Sequence, residues 1–442
     1  MTRDERQLEC VEQFKKARGI GTIEATPAFG KTRVAMLILR SYLSFAPGRT
    51  ALVVVPQRYL KEQWEGLIDV EGFKDVTVEV INTAVKTKRN VDLMILDEIH
   101  RYAADTFQEV FDAVSYRHIL GLTATIKRLD RKHTILNAYC PVIDRVSVTE
   151  ARENGWIAEY MEFNLGVRLD KVQALAYANV EESYEKAMGV FMWSFKELQA
   201  CAMSYRPWTN AEGTHDSACS RLAKSYGWRG KTPTEAAEAL RKKTRLSNIW
   251  GDNLSHPYHP HRIYITALNG LRSISKMKQY MYSNPEKIVT AINLIKTLNV
   301  PTIVFGERIA SADDLVKKLK EEGIPAISYH SGNKKLRKEG TDIKEQLTRG
   351  DIKVICTAKT LDERADFPTI RMGIRIAGTS SPTQHVQRRG RIIRKHEEKK
   401  AVMINLYLHG TKEVAWLSKA QGYESEVVWV DSVEEILEQI NL

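Results

Sequence analysis

The feature that most constrains the fold of this chain is an alternation of short apolar strands with amphipathic helices. Within the first 125 residues, β-branched runs recur as "TIEAT", "ALVVVP", "VTVEVI", "VDLMILDE" and "ILGLTAT". Helical stretches lie between several of them, such as "TRVAMLILRSYLSF" and "RYLKEQWEGLI", with apolar residues at spacings of three and four. Continuously apolar strands that alternate with helices are typical of a parallel sheet covered on both faces.

The same alternation begins again near residue 285. The strands "TIVFG", "AISYHS", "KVICTA", "MGIRIAG" and "AVMINLYL" alternate with helices such as "SADDLVKKLKEEG". The predicted fold class is therefore α/β, with parallel-sheet lobes at residues 1–164 and 284–442. Residues 165–283 show little strand pattern, which predicts an inserted, mainly helical domain between the lobes. Ligands are expected at the carboxyl ends of the strands.

Length and composition narrow the class of protein. A chain of 442 residues is too long for one hydrophobic core, and 43% hydrophobic with 27% charged residues is typical of a soluble globular protein. No apolar run reaches the ~18 residues that span a bilayer, and "MTRDERQLEC" lacks the apolar core of a signal peptide. The five cysteines form no C-x-x-C pair, so neither a disulfide framework nor a cysteine zinc site is expected. A cytoplasmic location is predicted.

The charge of the chain indicates a polyanionic partner. The formal net charge is +11, and residues 191–280 alone carry 14 Lys and Arg against 6 Asp and Glu. Basic side chains that neutralise phosphates release condensed counterions on binding. Nucleic acid is therefore the partner that the charge favours.

The segment "ATPAFGKT", residues 25–32, is close to a phosphate-binding loop. In the pattern G-x-x-x-x-G-K-[ST], glycine amides cradle phosphates, the lysine reaches the outer phosphates and the hydroxyl holds magnesium. Gly30, Lys31 and Thr32 match this pattern, whereas Ala25 and Ala28 stand where glycines are common. Taken alone, the segment fits a strand-to-helix turn with an incidental lysine equally well.

Two carboxylates give this segment a context. Asp97 and Glu98 end the apolar strand "LMILDEIH", where the first would hold magnesium and the second would deprotonate the attacking water. Such a pair is more often a solvated strand end, but beside Lys31 it predicts a metal and phosphate site. Thr123 and Thr125 end a further strand in "GLTAT", which alone is consistent with an ordinary turn.

A basic cluster lies in "QHVQRRGRIIR". Its polar members are Gln387, Arg388, Arg389, Arg391 and Arg394. A solvated basic helix or a simple phosphate patch would produce the same pattern. Hydrolysis of a triphosphate, however, requires cations near the γ-phosphate, and arginine fingers of this kind contribute about 10³–10⁵ in rate.

Taken in order, these segments resemble the motif series of superfamily 2 helicases. The series comprises "ATPAFGKT", "LVVVPQRYLKEQW", "LDEIH", "GLTAT", "IVFGERIASADDL", "YHSG", "VICTAKTLDERADFP" and "QRRGRIIR". The segment "RVSVTEARENGWIAEY" resembles the bacteriophage branch-migration helicases and related excision-repair translocases. The similarity covers both lobes, roughly 280 residues, and not the middle domain. It implies RecA-like lobes and a magnesium- and ATP-dependent enzyme.

The resemblance implies roles for particular residues. Lys31 and Thr32 would bind phosphate and magnesium, Asp97 would hold magnesium and Glu98 would be the catalytic base. The other residues implied in catalysis are Gln387, Arg391 and Arg394. Those implied in ATP binding are Thr26, Pro27, Ala28, Phe29 and Gly30, with Gln7 as an adenine reader. Those implied in coupling hydrolysis to movement are Thr123, Thr125 and Asp366.

The resemblance also implies contacts with DNA. In the family, the motifs around Arg58, Thr357 and Lys359 follow a nucleic-acid backbone. For the middle domain we expect Arg241, Lys242 and Lys243 to grip DNA, and an aromatic side chain such as Trp228 to stack on an unpaired base. The expected partner is branched DNA, and the family makes a monomer that moves 3′ to 5′ the default.

Two departures from the family pattern concern the phosphate loop and a motif of the second lobe. Arg364 stands where a glycine often precedes the Asp366 motif. The alanines of the loop add little bulk provided that their local φ is negative, and the amides then stay available.

The predicted function is ATP-dependent remodelling of branched DNA, by fork reversal or junction migration, in replication, recombination or repair. An RNA helicase and a duplex translocase that separates no strands are the alternatives of the same class. A binding module with a degenerate nucleotide site is the alternative of another class, and it is disfavoured because Lys31, Asp97, Glu98, Arg391 and Arg394 are all present. A nuclease is disfavoured because no second acidic cluster is evident.

Overall fold

The computed structural model describes residues 1–126, 132–203, 260–330, 340–358, 367–378, 381–396, 399–421 and 426–440. The chain forms two compact units. The first comprises residues 1–167 and 285–442, and the second comprises residues 168–284. Among the described residues, no helix is long and apolar enough to cross a membrane.

The first lobe is built on six parallel strands in the order β3-β2-β4-β5-β1-β6. The strands are β1 (Ile20–Ala25), β2 (Ala51–Val55), β3 (Val76–Val80), β4 (Arg89–Asp97), β5 (Val114–Thr123) and β6 (Val142–Val146). The helices are α1 (Arg3–Lys16), α2 (Lys31–Phe45), α3 (Arg58–Glu71), α4 (Ile81–Ala84), α5 (Asp105–Gln108), α6 (Val110–Ala113), α7 (His133–Tyr139) and α8 (Val148–Glu153), with a 3-10 helix at Ile99–Ala103.

The order of these strands brings the predicted motifs together. Strands β4, β5 and β1 are neighbours, so the loops that follow their carboxyl ends lie side by side. Every residue of β2 is buried, as the continuously apolar sequence predicts for a strand covered on both faces.

The second lobe is built on seven parallel strands in the order β13-β7-β12-β11-β8-β10-β9. The strands are β7 (Glu159–Val167), β8 (Thr302–Gly306), β9 (Ala326–Tyr329), β10 (Val354–Ala358), β11 (Met372–Arg375), β12 (Lys400–Leu408) and β13 (Val427–Val430). The helices are α12 (Pro285–Leu298), α13 (Ile309–Glu321), α14 (Gly340–Arg349), α15 (Pro382–Ile392), α16 (Glu413–Gln421) and α17 (Val433–Gln439). The predicted α/β class with two parallel-sheet lobes and an intervening helical region is confirmed.

Strand β7 shows how the helical region is connected to the lobes. The boundary expected after residue 164 falls inside β7, and this strand pairs with β12 and β13 of the second sheet. The sequence pattern missed it because Glu159, Glu162 and Asn164 interrupt the apolar residues of β7. The chain therefore leaves the second sheet at Val167 and returns to it through α12, which contacts β7.

The described part of the second unit is helical. It contains α9 (Lys171–Val190), α10 (Phe195–Met203) and α11 (Pro260–Tyr282), and α11 packs against both other helices. Tyr177 and Tyr280 meet edge to face with ring centroids 6.3 Å apart. The predicted DNA contacts Trp228, Arg241, Lys242 and Lys243 lie outside the described residues.

Candidate active site

The phosphate loop connects β1 to the amino terminus of α2. Gly30 caps the helix with φ of +97°, and a Cβ at this position would lie 2.6 Å from Nε2 of Gln7. Only glycine fits this backbone without strain. Lys31 begins α2, and its Nζ donates to the carbonyl oxygen of Ala25 at 3.1 Å. The first turn of α2 has no acidic residue, so its amides and helix dipole favour an anion.

The structure corrects one expectation about this loop. Ala28 has φ of +67°, in the left-handed region, and not the negative φ that would make the alanine harmless. The left-handed conformation costs a residue with a Cβ about 1–2 kcal/mol. Ala28 is therefore strained where glycine would be relaxed, whereas Ala25 lies within β1 and is buried.

The acidic pair follows β4. Asp97 accepts from Nε1 of Trp64 at 2.9 Å and from the backbone N–H of Glu98 at 3.0 Å. Burial and the adjacent Glu98 carboxylate raise the pKa of Asp97 to about 6. Burial also opposes ionisation of Glu98, but His100 and Lys31 outweigh it and lower the pKa of Glu98 to about 2. A cation bound beside these two carboxylates would relieve their mutual repulsion.

His100 connects the acidic pair to the strand β5. Its Nδ1 lies 3.3 Å from Oε2 of Glu98 and 3.0 Å from Oγ1 of Thr123. The Thr123 hydroxyl donates to the carbonyl oxygen of Thr125 at 2.8 Å and accepts from its N–H at 3.2 Å. Both predicted coupling residues of this loop thus share one network with Glu98. Asp366, the third, lies outside the described residues.

Helix α15 of the second lobe brings the predicted arginines to the same place. A cavity of about 480 Å³ is lined by Gln387, Arg391 and Arg394 from the second lobe and by Lys31, Thr32, Asp97 and Glu98 from the first. Pro27, Ala28 and Gly30 line it as well. Residues that are far apart in the sequence thus surround one cavity between the two lobes.

The chemistry of the cavity fits a magnesium nucleoside triphosphate. Four cationic side chains line it, namely Lys31, Arg101, Arg391 and Arg394, against the two carboxylates of Asp97 and Glu98. The excess of positive charge complements the phosphates. Carboxylate and hydroxyl oxygens are the ligands that magnesium prefers, and Asp97 and Thr32 both reach the cavity. The buried Oγ1 of Thr26 also has no hydrogen-bond partner among the described residues.

Helix α1 holds Gln7 against the phosphate loop. Nε2 of Gln7 donates to the carbonyl oxygen of Phe29 at 2.7 Å, and Gln7 is buried. Arg6 fixes the helix through bonds of 2.7 Å to both Asp144 and Glu150. Behind the loop, the Phe29 ring packs on Trp156 with centroids 5.6 Å apart. Trp156 belongs to the segment "RVSVTEARENGWIAEY", so this segment packs against the phosphate loop.

The residues of the two lobes that are predicted to contact DNA differ in their exposure. Arg58 begins α3 with 89% of its side chain exposed and a loose pair to Glu62 at 3.9 Å. Thr357 is buried in β10, and its hydroxyl has no hydrogen-bond partner among the described residues. Lys359 lies outside the described residues. These contacts stay predictions.

Several residues of the site were not predicted from the sequence. Tyr59, Gln63 and Arg101 line the cavity, and Trp64 and His100 hold the acidic pair. Trp64 lies in the motif "LVVVPQRYLKEQW" and His100 in "LDEIH". Membership of these motifs was the sequence signal that could have identified both residues.

Comparisons with known proteins agree with the two-lobed site. Residues 286–396 match the family described as helicase conserved C-terminal domain, and residues 76–128 match that described as type III restriction enzyme, res subunit. A relative described as DNA 3′-5′ translocase XPB2, from Sulfurisphaera tokodaii, is 26% identical over 428 residues, covering 92% of this chain and 82% of the relative. The ATP-dependent helicase Lhr-Core of Methanocaldococcus jannaschii is 25% identical over 139 residues, covering 30% of this chain and 16% of that protein.

A solved structure shows the same fold. The crystal structure of the Pyrococcus furiosus Hef helicase domain superposes with a TM-score of 0.53 at 17% identity, covering 93% of this chain and 98% of the other. The two family matches contain Asp97 and Glu98 on one lobe and Arg391 and Arg394 on the other. The chain is therefore a superfamily 2 helicase or translocase. It is an enzyme that hydrolyses ATP. The more particular resemblance to bacteriophage branch-migration helicases stays a prediction.

Proposed function

We propose that this enzyme moves along DNA by ATP hydrolysis and remodels branched DNA such as forks and four-way junctions. The observation that carries the proposal is the divided cavity, with Lys31, Asp97 and Glu98 on one lobe and Arg391 and Arg394 on the other. Because neither lobe holds the whole set, hydrolysis depends on how the lobes close. Opening and closing with each ATP is what steps such an enzyme along a strand.

The proposed roles follow from the contacts. Lys31 and the amides of the loop bind the phosphates, and Glu98, ionised through His100 and Lys31, accepts a proton from the attacking water. Arg391 and Arg394 meet the charge that develops on the γ-phosphate. Magnesium would be held by Thr32 and Asp97, and it would neutralise phosphate charge.

DNA as the substrate is supported by charge and by likeness. The net charge of +11 favours a polyanion, and the Sulfurisphaera relative is described as acting on DNA with 3′-to-5′ polarity. We propose the same polarity for this enzyme, acting as a monomer. Branched DNA is the more particular part of the proposal, and it rests on the "RVSVTEARENGWIAEY" resemblance.

The test is strand separation on a four-way junction, a fork and a tailed duplex, each made of DNA and of RNA. Wild type is compared with Lys31→Ala and with the matched control Lys15→Ala, which removes an exposed lysine paired with Glu12 on α1. We expect the branched DNAs to be resolved fastest, with the Lys15 variant active and the Lys31 variant inert. Equal rates on branched and tailed DNA would remove the branched-DNA part.

A second candidate is a duplex translocase that separates no strands. It is favoured by the description of the Sulfurisphaera relative as a translocase. ATP hydrolysis stimulated by duplex DNA, with displacement of a bound triplex strand but without unwinding of any substrate, would establish it.

A further inference from the structure

Helix α15 has two polar faces with different surroundings. Gln387, Arg391 and the following Arg394 are spaced by four and three residues and line the ATP cavity. His385, Arg388 and Arg389 lie on another face and are buried. The second set does not line the cavity, and a buried charge on a helix face requires compensation.

For His385 and Arg389, the compensation comes from one carboxylate on β7, that of Glu162. Glu162 is 1% exposed, and its Oε1 lies 3.0 Å from Nε2 of His385. Its Oε2 lies 3.8 Å from Nη1 of Arg389, so the carboxylate touches α15 at two positions one helical turn apart. Asn405 and Gln421 donate to Oε1 at 2.8 and 3.1 Å. The carboxylate is thereby fixed from β12 and α16 as well.

The protonation states agree with this arrangement. Burial opposes ionisation of Glu162, but His385, Arg389 and the donated bonds outweigh it and hold its pKa below the usual range. Burial lowers the pKa of His385, which favours the neutral ring. In that form Nδ1 accepts from Nη1 of Arg375 at 3.2 Å, while Nε2 lies close to the Glu162 carboxylate. Arg389 thus lies beside the Glu162 carboxylate itself, whereas Arg375 contacts the ring of His385.

A second, separate anchor holds the same helix. Arg388 donates to Glu307 at 2.7 Å and to the carbonyl oxygen of Ala377 at 3.2 Å. Glu307 follows β8, so this anchor comes from a different strand. Glu162 differs from Glu307 because Glu162 contacts two residues of α15, His385 and Arg389. Glu162 therefore fixes α15 at two positions, and Glu307 fixes it at one.

We propose that Glu162 is a positioning residue for ATP hydrolysis, which fixes the rotation of α15 so that Arg391 and Arg394 point into the ATP cavity. The proposal rests on the function proposed for those arginines. Positioning errors of about 1 Å at a reacting centre reduce rate by about 10²-fold without abolishing substrate binding. The effect of Glu162 therefore belongs in kcat and not in the KM for ATP.

The experiment is a double-mutant cycle between Glu162→Gln and the pair Arg391→Ala with Arg394→Ala. Steady-state hydrolysis is measured for wild type, Glu162→Gln, the arginine variant and the combined variant. We expect Glu162→Gln to lower kcat about tenfold or more with KM changed less than about twofold. In the arginine background the same substitution is expected to change kcat less than about twofold, because the groups it orients are absent.

The matched control is Glu413→Gln. Glu413 is another buried carboxylate of the second lobe, bonded to Lys287 at 2.6 Å and to the backbone N–H of Leu408, both of which lie outside α15. Its loss is expected to lower the melting temperature comparably. If it also lowers kcat, it is expected to do so equally in both backgrounds, as a merely structural residue does.

Two outcomes would overturn the role of Glu162, namely wild-type kcat in Glu162→Gln, or an equal loss of kcat in both backgrounds. The arginine variant by itself reports on the proposed function, because wild-type kcat there would remove the finger assignment whatever Glu162 does. If Glu162→Gln does not fold, Glu162→Asp replaces it in the cycle. The aspartate keeps the charge and shortens the reach, so the same loss confined to the wild-type background is expected, and its absence counts against the proposal.

Discussion

Gly390 of α15 lies against Pro27 of the phosphate loop, so closely that a Cβ at Gly390 would stand 2.3 Å from Cβ of Pro27. The two residues belong to different lobes, and both line the ATP cavity. The missing side chain at Gly390 therefore allows the helix that carries Arg391 to approach the loop that carries Lys31. Glycine is required here for a close approach and not for a special φ.

We predict that Gly390→Ala lowers the kcat of ATP hydrolysis at least tenfold, because the added methyl group would clash with Pro27. Bringing the two lobes together would then cost about 1–3 kcal/mol more. Steady-state kinetics and a melting curve measure the effect. Gly66→Ala is the control, since Gly66 lies in α3 and its added Cβ meets nothing within 4 Å. That variant is expected to keep full activity and to gain up to about 1 kcal/mol of stability. Wild-type kcat in Gly390→Ala would contradict the steric account.

Ala28→Gly is predicted to stabilise the enzyme. The substitution relieves the left-handed φ of +67°, and the gain of about 1–2 kcal/mol is reduced by the extra flexibility of glycine in the unfolded chain. We expect a net gain of about 0.5–1 kcal/mol in denaturant unfolding. Ala104, with φ of −74°, provides the comparison, because Ala104→Gly should lose about as much. A loss of stability in both variants would show that Ala28 is not strained.

The sequence predicted those parts of the fold that local pattern determines. All ten apolar runs proposed as strands are strands, and central ones such as β2 and β10 are buried along their whole length. Strands β6, β7 and β13 were missed. Charged residues interrupt the apolar pattern of β6, and β13 is a partly buried run of only four residues. The conformation of Ala28 was also missed, because an alanine gives no signal of positive φ. His385 of α15 contacts Glu162, which is more than 200 residues away, and no local pattern reports such a contact.

The Arg6–Asp144 pair gives a stability that depends on pH. Burial opposes ionisation of Asp144, but Arg6 outweighs it and lowers its pKa below the usual 3.8. A lowered pKa means that the unfolded chain binds the proton more tightly, so the pair stabilises the fold above about pH 4 and this stability is lost as the pH falls through the folded pKa.

We therefore predict that Asp144→Asn unfolds more easily than wild type at pH 6 to 7, by about 1–3 kcal/mol, and that the difference shrinks as the pH falls below about 4 and through the lowered pKa of Asp144. Denaturant unfolding across this range measures it. The control is Glu12→Gln, which breaks the exposed pair with Lys15 and should change stability by less than about 1 kcal/mol at any pH. A difference that persists undiminished at low pH would show that the ion pair is not its source.

His100 is predicted to couple hydrolysis to movement, because its Nδ1 bridges Glu98 and Thr123. His100→Leu removes the donor, and we expect at least about tenfold more ATP to be consumed per base pair unwound, with the KM for ATP little changed. His100→Asn can place an amide donor near the same position and should recover part of the coupling. Equal coupling in wild type and His100→Leu would remove the bridge from the mechanism.

Gln7 has two conceivable roles, and its contact favours one. The sequence resemblance makes it an adenine reader, whereas in the structure its Nε2 donates to the carbonyl oxygen of Phe29 and so supports the phosphate loop. If support of the loop is its role, Gln7→Ala should raise the KM for ATP and for GTP by the same factor, about 5- to 10-fold for one lost buried hydrogen bond. If adenine reading is its role, only the KM for ATP should rise, and the preference for ATP over GTP should shrink. Steady-state kinetics with both nucleotides distinguish the two, and we expect the equal rise.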